Sequence, residues 1–223
     1  MECLEGYLIT INMRKTKKLY EQLARTLKKL HNLNINTTIP DVNMFDLFEK
    51  SLSLLAQKKI DDRTKPIIEK IADNFKREKA MLDLNLVFAN TVVCHNDLSP
   101  KNLIYKNNEF RLIDAYITRG DLFYDLATII VFWCFDKSSE KMLLDSYFER
   151  ELTPEENRKL SVFKKLAMQL YAIRLLCDCT GESTLSIDTT NKRTLLEFLS
   201  TNNNIISDKQ ILKFASILIN QSI

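Results

Sequence analysis

Only three glycines occur in 223 residues, Gly6, Gly120 and Gly181. Glycine is what lets backbone turn tightly and approach a phosphate closely, and the common phosphate-cradling loops need several glycines within a few residues. These three stand too far apart for G-x-G-x-x-G or for G-x-x-x-x-G-K-[ST]. A complete Rossmann or P-loop nucleotide site is therefore excluded. With 45% hydrophobic and 27% charged residues, the composition is that of a globular protein able to bury a sizeable core. No Gly/Ser/Pro linker and no internal repeat divides it, and the Asn-rich patches near 32–38 and 202–204 read as loops. The expectation is one domain over residues 1–223.

Charge and sulfur narrow the function classes. A net charge of +3 from 32 Lys+Arg and 29 Asp+Glu, with no block of six like charges, does not describe a nucleic-acid-binding surface. Five cysteines (Cys3, Cys94, Cys134, Cys177, Cys179) form no C-x-x-C pair, and two histidines are too few for a structural zinc site at familiar spacing. Cys177 and Cys179 have no base or metal partner in sequence. No apolar run reaches the roughly 18 residues that span a bilayer, and no signal peptide is legible. These features predict reduced thiols and a cytoplasmic protein without a transmembrane segment.

Helical periodicity dominates. From Thr16 to His31, Leu19, Leu23, Ala24, Leu27 and Leu30 recur at helical spacing while basic residues fill the other arc. That basic face reads as solvated. Further helices are predicted over 43–57 and 65–83. Short strands are predicted over 86–89 and 91–94, and a hairpin over 102–105 and 109–113 about Lys106-Asn107-Asn108. Helices follow over 125–135 and 139–148. Thr153-Pro154-Glu155-Glu156 combines an N-cap, a proline at the first helical position and a capping-box glutamate, and opens a long helix to about Cys177. Weaker helices are predicted over 191–200 and 207–220.

Chemistry concentrates in His95-Asn96-Asp97-Leu98-Ser99-Pro100-Lys101-Asn102, with Asp114 following twelve residues after Asn102 at the end of a strand. Phosphoryl transfer needs a carboxylate to orient the attacking hydroxyl and accept its proton. It also needs oxygen ligands for the Mg²⁺ that bridges the nucleotide phosphates. In the kinase pattern H-R-D-x-x-x-x-N the Asp is the base and the Asn binds metal, and a second Asp beyond a hairpin binds metal directly. Asp97, Asn102 and Asp114 match that order and spacing. A bare H-x-D-x-x-x-x-N arises by chance in roughly a few per cent of chains this long. Here a preceding strand and a following hairpin agree with it. The bland alternative is that Asp97 and Asn102 cap loop backbone.

On these residues, on Leu112-Ile113-Asp114, and on Gly120-Asp121 with Tyr124-Asp125-Leu126-Ala127, the sequence resembles the choline kinase and aminoglycoside phosphotransferase group of kinase-like small-molecule phosphotransferases. The resemblance covers about residues 1–180. It implies Asp97 as the catalytic base, Asn102 and Asp114 as Mg²⁺ ligands, and His95 and Asp125 as residues bracing the catalytic loop. It also implies Leu4, Glu5 and Gly6 as the hinge beside the nucleotide, and matches Leu23 through His31 to the group's L-x-x-L-H helix. Leu143-Leu144-Asp145-Ser146-Tyr147-Phe148 and the Thr153 helix look more like bacterial choline kinases than antibiotic kinases. Ala115 departs from the aromatic-then-Glu pattern common there, and the segment to Gly120 is one residue short.

In that group an N-terminal lobe of antiparallel strands clamps the nucleotide, whereas this chain begins at the hinge. The resemblance therefore implies the mainly helical C-terminal lobe with a small β-hairpin, the N-terminal lobe being absent or supplied in trans. Residues 183–223 carry C-terminal helices of unassigned role. The expected reaction is transfer of the ATP γ-phosphoryl group to a small-molecule hydroxyl, with choline or ethanolamine favoured and an aminoglycoside the alternative acceptor. The alternative is a catalytically inactive pseudokinase or binding module. A quaternary ammonium is held by aromatic faces, for which Trp133, Phe135 and Tyr171 are candidates, with core packing as their other use.

Overall fold

Thr16 lies in extended backbone and its hydroxyl accepts from the amide of Leu19 at 3.3 Å, which starts α1, Lys17–His31. Leu19, Tyr20, Leu23, Ala24, Leu27, Leu30 and His31 are its buried stripe. Lys28, Lys29 and His31 sit in the last turn, where cations complement the helix dipole. The computed structural model describes residues 7–9, 15–34, 39–82, 91–134, 136–178 and 208–222. They belong to two compact units, one of Met1–Val42 with Val87–Ser161, the other of Asn43–Leu86 with Val162–Ile223. Neither unit is continuous in sequence, and that interleaving needs no linker of the kind a sequence scan seeks.

Two small antiparallel sheets lie in the first unit. In one, β1 (Tyr7–Leu8) pairs with β3 (Leu103–Lys106), which pairs with β4 (Glu109–Leu112) in the register Leu103 to Leu112. The turn joining β3 to β4 is Asn107-Asn108, both at positive φ (52° and 64°). Such a two-residue turn matches the right-handed strand twist, and asparagine tolerates that conformation. In the other sheet β2 (Thr91–Cys94) pairs with β5 (Thr118–Asp121), Cys94 opposite Thr118. β5 was not predicted, because Thr118-Arg119-Gly120-Asp121 lacks the apolar alternation of a strand. Gly120 is needed there: a Cβ would meet the Val42 carbonyl oxygen at 3.3 Å and Cys94 Sγ at 3.6 Å. The strand predicted over 86–89 and the helix over 191–200 lie outside the described residues.

Helix α4 is Leu122–Trp133, three residues earlier than predicted, because the Asp121 carboxylate caps it by accepting from the Phe123 amide at 2.9 Å. Phe123 through Trp133 are all buried, as befits a helix surrounded by protein. Next comes α5, Lys137–Phe148, capped by Asp136 on the Ser139 amide at 2.8 Å and packed against α1. The predicted capping box opens α6, Pro154–Asp178. The Thr153 hydroxyl accepts from the Glu156 amide (3.2 Å), and the Thr153 amide donates to the Glu156 carboxylate (2.8 Å).

The second unit contains α2 (Met44–Leu55), α3 (Lys65–Met81), the larger part of α6, and α7 (Asp208–Ser222). Its core is aromatic. Phe48 stacks on Phe75 at 4.1 Å between centroids, and Phe45 meets Phe163 edge-on at 5.5 Å.

Candidate active site

The segment predicted to carry chemistry is a short loop leaving β2, fixed at both ends by hydrogen bonds. Asn96 turns the chain at φ 65°, a conformation asparagine adopts at small cost. Its side-chain amide donates to the Tyr116 carbonyl (2.7 Å) and to the Thr118 hydroxyl (2.8 Å), stapling the loop to the strand beside it. His95 Nε2 donates to the Ile113 carbonyl at 2.9 Å, which leaves Nδ1 to accept from the Asp97 amide at 3.3 Å. The Tyr116 amide donates to the His95 carbonyl at 3.0 Å.

Asp125, fully buried one turn into α4, holds the loop from below. Its Oδ2 accepts from the His95 amide and its Oδ1 from the Asn96 amide, both at 2.8 Å. His31 Nε2, at the end of α1, lies 3.2 Å from the same Oδ2. Three donors on one buried carboxylate compensate its removal from water. Asp125 and His95 are thus both hydrogen-bonded to backbone in or beside this loop. The imidazole facing Asp125, however, is that of His31, a partner 94 residues away in the chain. Asp121 fixes the same helix end: Lys159 pairs with its buried Oδ2, drawing back down a carboxyl that burial pushes up.

Above this floor Asn102, in a one-turn 3₁₀ helix (Pro100–Asn102), donates through Nδ2 to both the Asp97 carbonyl (2.7 Å) and Asp97 Oδ2 (2.9 Å). Lys101 is exposed and its ammonium is 3.8 Å from Asp97 Oδ2. The Ile113 amide donates to the Asn102 carbonyl at 3.1 Å, so Asp114, exposed at φ 53°, follows a residue tied directly to Asn102. Both N–H groups of the Asn102 amide are engaged by Asp97, so its carbonyl oxygen is the atom it can offer a cation. Among the described residues no cluster of three His, Cys, Asp or Glu could hold a metal. One amide oxygen and one carboxylate suit a small hard cation that keeps waters and takes further oxygens from a phosphate. The residues present therefore fit Mg²⁺.

Leu4, Glu5, Gly6 and Phe135 lie outside the described residues. Trp133 is fully buried: its ring is 5.4 Å from that of Tyr20 and 6.3 Å from that of Phe110, with the Lys15 ammonium 5.7 Å from its centroid. Core packing accounts for it. Tyr171 is half-buried on α6, in the other unit. Sequence reasoning gave no role to His31 or Asn96. The available signal for His31 was the L-x-x-L-H match, which ends on it, one of only two histidines in the chain.

Residues 1–160 match the sequence profile of the phosphotransferase enzyme family. A protein LicA homolog from Mycoplasma capricolum subsp. capricolum is 27% identical over 151 residues, 66% of this chain and 56% of that protein. The chain thus spans a little over half the length of this curated relative. A choline/ethanolamine kinase family protein from Mesorhizobium loti superposes with a TM-score of 0.60 at 15% identity, over 88% of this chain and 66% of that one. The GDP and kanamycin complex of APH(2")-IIia gives 0.58 at 16% identity, over 77% and 62%. At such identities these two likenesses show a shared fold.

Proposed function

Since the chain belongs to the phosphotransferase enzyme family, we propose that it serves in transfer of the γ-phosphoryl group of ATP to a hydroxyl of a small molecule. The observation that carries this reading is the two-point clamp of Asn102 on Asp97. It holds a half-exposed carboxylate on the loop that carries the Asn102 amide, and the Ile113 amide ties the backbone just before Asp114 to Asn102, so an amide oxygen and a carboxylate are available for a phosphate-bound cation. Asp97 then orients the attacking hydroxyl and takes its proton, Lys101 screens its charge, and Asn102 and Asp114 hold Mg²⁺. When bound, the cation neutralises charge developing on the transferred group. His95, Asn96 and Asp125 keep Asp97 from drifting, since proton transfer requires hydrogen-bond reach.

Choline or ethanolamine is the favoured acceptor, supported by the name of the Mesorhizobium protein; kanamycin in the third comparison makes an aminoglycoside the alternative. The free thiols of Cys94, Cys134 and Cys177 support a cytoplasmic setting. Among the described residues no helix is long and apolar enough to cross a membrane. ADP release from Mg·ATP over choline, ethanolamine, thiamine and aminoglycosides tests the reading. Asp97→Asn is expected to lower turnover about 10²- to 10⁴-fold. Absence of both turnover and calorimetric heat at millimolar Mg·ATP would leave a binding module without nucleotide chemistry.

A further inference from the structure

Both histidines of the chain converge on one loop, and the second arrives with a partner of its own. His31 Nδ1 is 2.6 Å from the hydroxyl of Tyr147, on α5, while Nε2 reaches Asp125 Oδ2 at 3.2 Å. His31 and Tyr147 are both buried, and their rings meet edge-on at 5.6 Å. Lys28, on the helix of His31, stands 5.9 Å from the Tyr147 centroid. Burial and the Asp125 charge push the Tyr147 hydroxyl well above the ordinary phenol range, so it stays a donor. A hydroxyl donating into Nδ1 obliges Nε2 to carry the proton, the arrangement that lets the imidazole donate to Asp125. The carboxylate passes the constraint to the His95 and Asn96 amides.

We propose that Tyr147 is a positioning residue: acting through His31 and Asp125, it sets the backbone on which Asp97 is carried. The hydrogen-bond chain stands on geometry alone. That the residue so positioned is a base rests on the phosphotransfer reading.

The test is nuclear magnetic resonance on the full chain without nucleotide, so it is decided whether or not turnover is ever observed. Tyr147→Phe removes only the hydroxyl. It is expected to move the His31 ring ¹⁵N resonances, to shift the His95 and Asn96 amide protons upfield, and to speed exchange of those two amides about fivefold, the loss of one hydrogen bond. Leu23 and Ala24 amides, on the same helix as His31, should hold their rates. His31→Gln keeps an N–H for Asp125 but gives Tyr147 no imidazole, so Tyr147→Phe added to it should change the two amides no further. The proposal is overturned if Tyr147→Phe leaves His31, His95 and Asn96 unmoved. It is equally overturned if the effect is as large in the His31→Gln background, which would make Tyr147 a packing residue.

Discussion

Asp125 does more to fix the loop than Asp97, the proposed base, does. Two of its three donors are main-chain amides, so removing the carboxylate strands buried N–H groups that no neighbouring side chain replaces. Asp125→Ala should lower stability by about 3 kcal/mol, read as the urea midpoint at constant slope. Asp125→Asn, which keeps one acceptor, should lose less. Gly120 is the second such position. Its missing Cβ makes room for the Val42 carbonyl, so Gly120→Ala should cost about 1 kcal/mol and disturb the amides of Cys94 and Asn96. Asp97, Asn102 and Asp114 stand out in the sequence as candidates because they fall within one strand-loop-hairpin stretch, where spacing alone sets proximity along the chain. His31 does not, because its side chain acquires meaning only when α1 packs beneath the loop.

The elements divide along the same line. The capping box was readable because both its partners are local and charged or hydroxylic in sequence: the Thr153–Glu156 box forms as spelled, and Arg150 grips the same carboxylate through both nitrogens at 2.7 Å, whereas the single caps Asp121 and Asp136 were missed. Arg150 first, then the Thr153 amide, holds the Glu156 carboxyl below its usual range. A depressed acid stabilises the fold above its unfolded pKa and ceases to as pH falls through the folded value. Wild type should therefore melt about 1–2 °C above Glu156→Gln at neutral pH, and the gap should close below pH 4.5. The hairpin makes a sharper demand. Asn108→Gly should be tolerated, whereas Asn108→Val, forced to positive φ, should cost about 1–2 kcal/mol in the same melts. β5 escaped prediction because a polar strand containing glycine owes its existence to a partner some 27 residues away, β2, and not to its own propensity.

Across the whole molecule, thiols offer a reporter for integrity. Cys94 and Cys134 are buried, and burial pushes both thiols up, Cys134 to about 12. Since the thiolate is the reactive form, iodoacetamide at pH 8 should leave both unmodified in the native chain and alkylate both in urea, as peptide masses would record. Labelling of Cys94 in the native state would mean that β2 and the loop it feeds open locally. The brace beneath that loop has a thermodynamic corollary. A segment already fixed by a helix-borne carboxylate, an imidazole and an asparagine staple would have little configurational freedom left to surrender to the cation and phosphate of the proposed reaction. Association at this end of the molecule should thus carry only a small entropic penalty from the protein, and its affinity should be governed by how well the oxygens are matched.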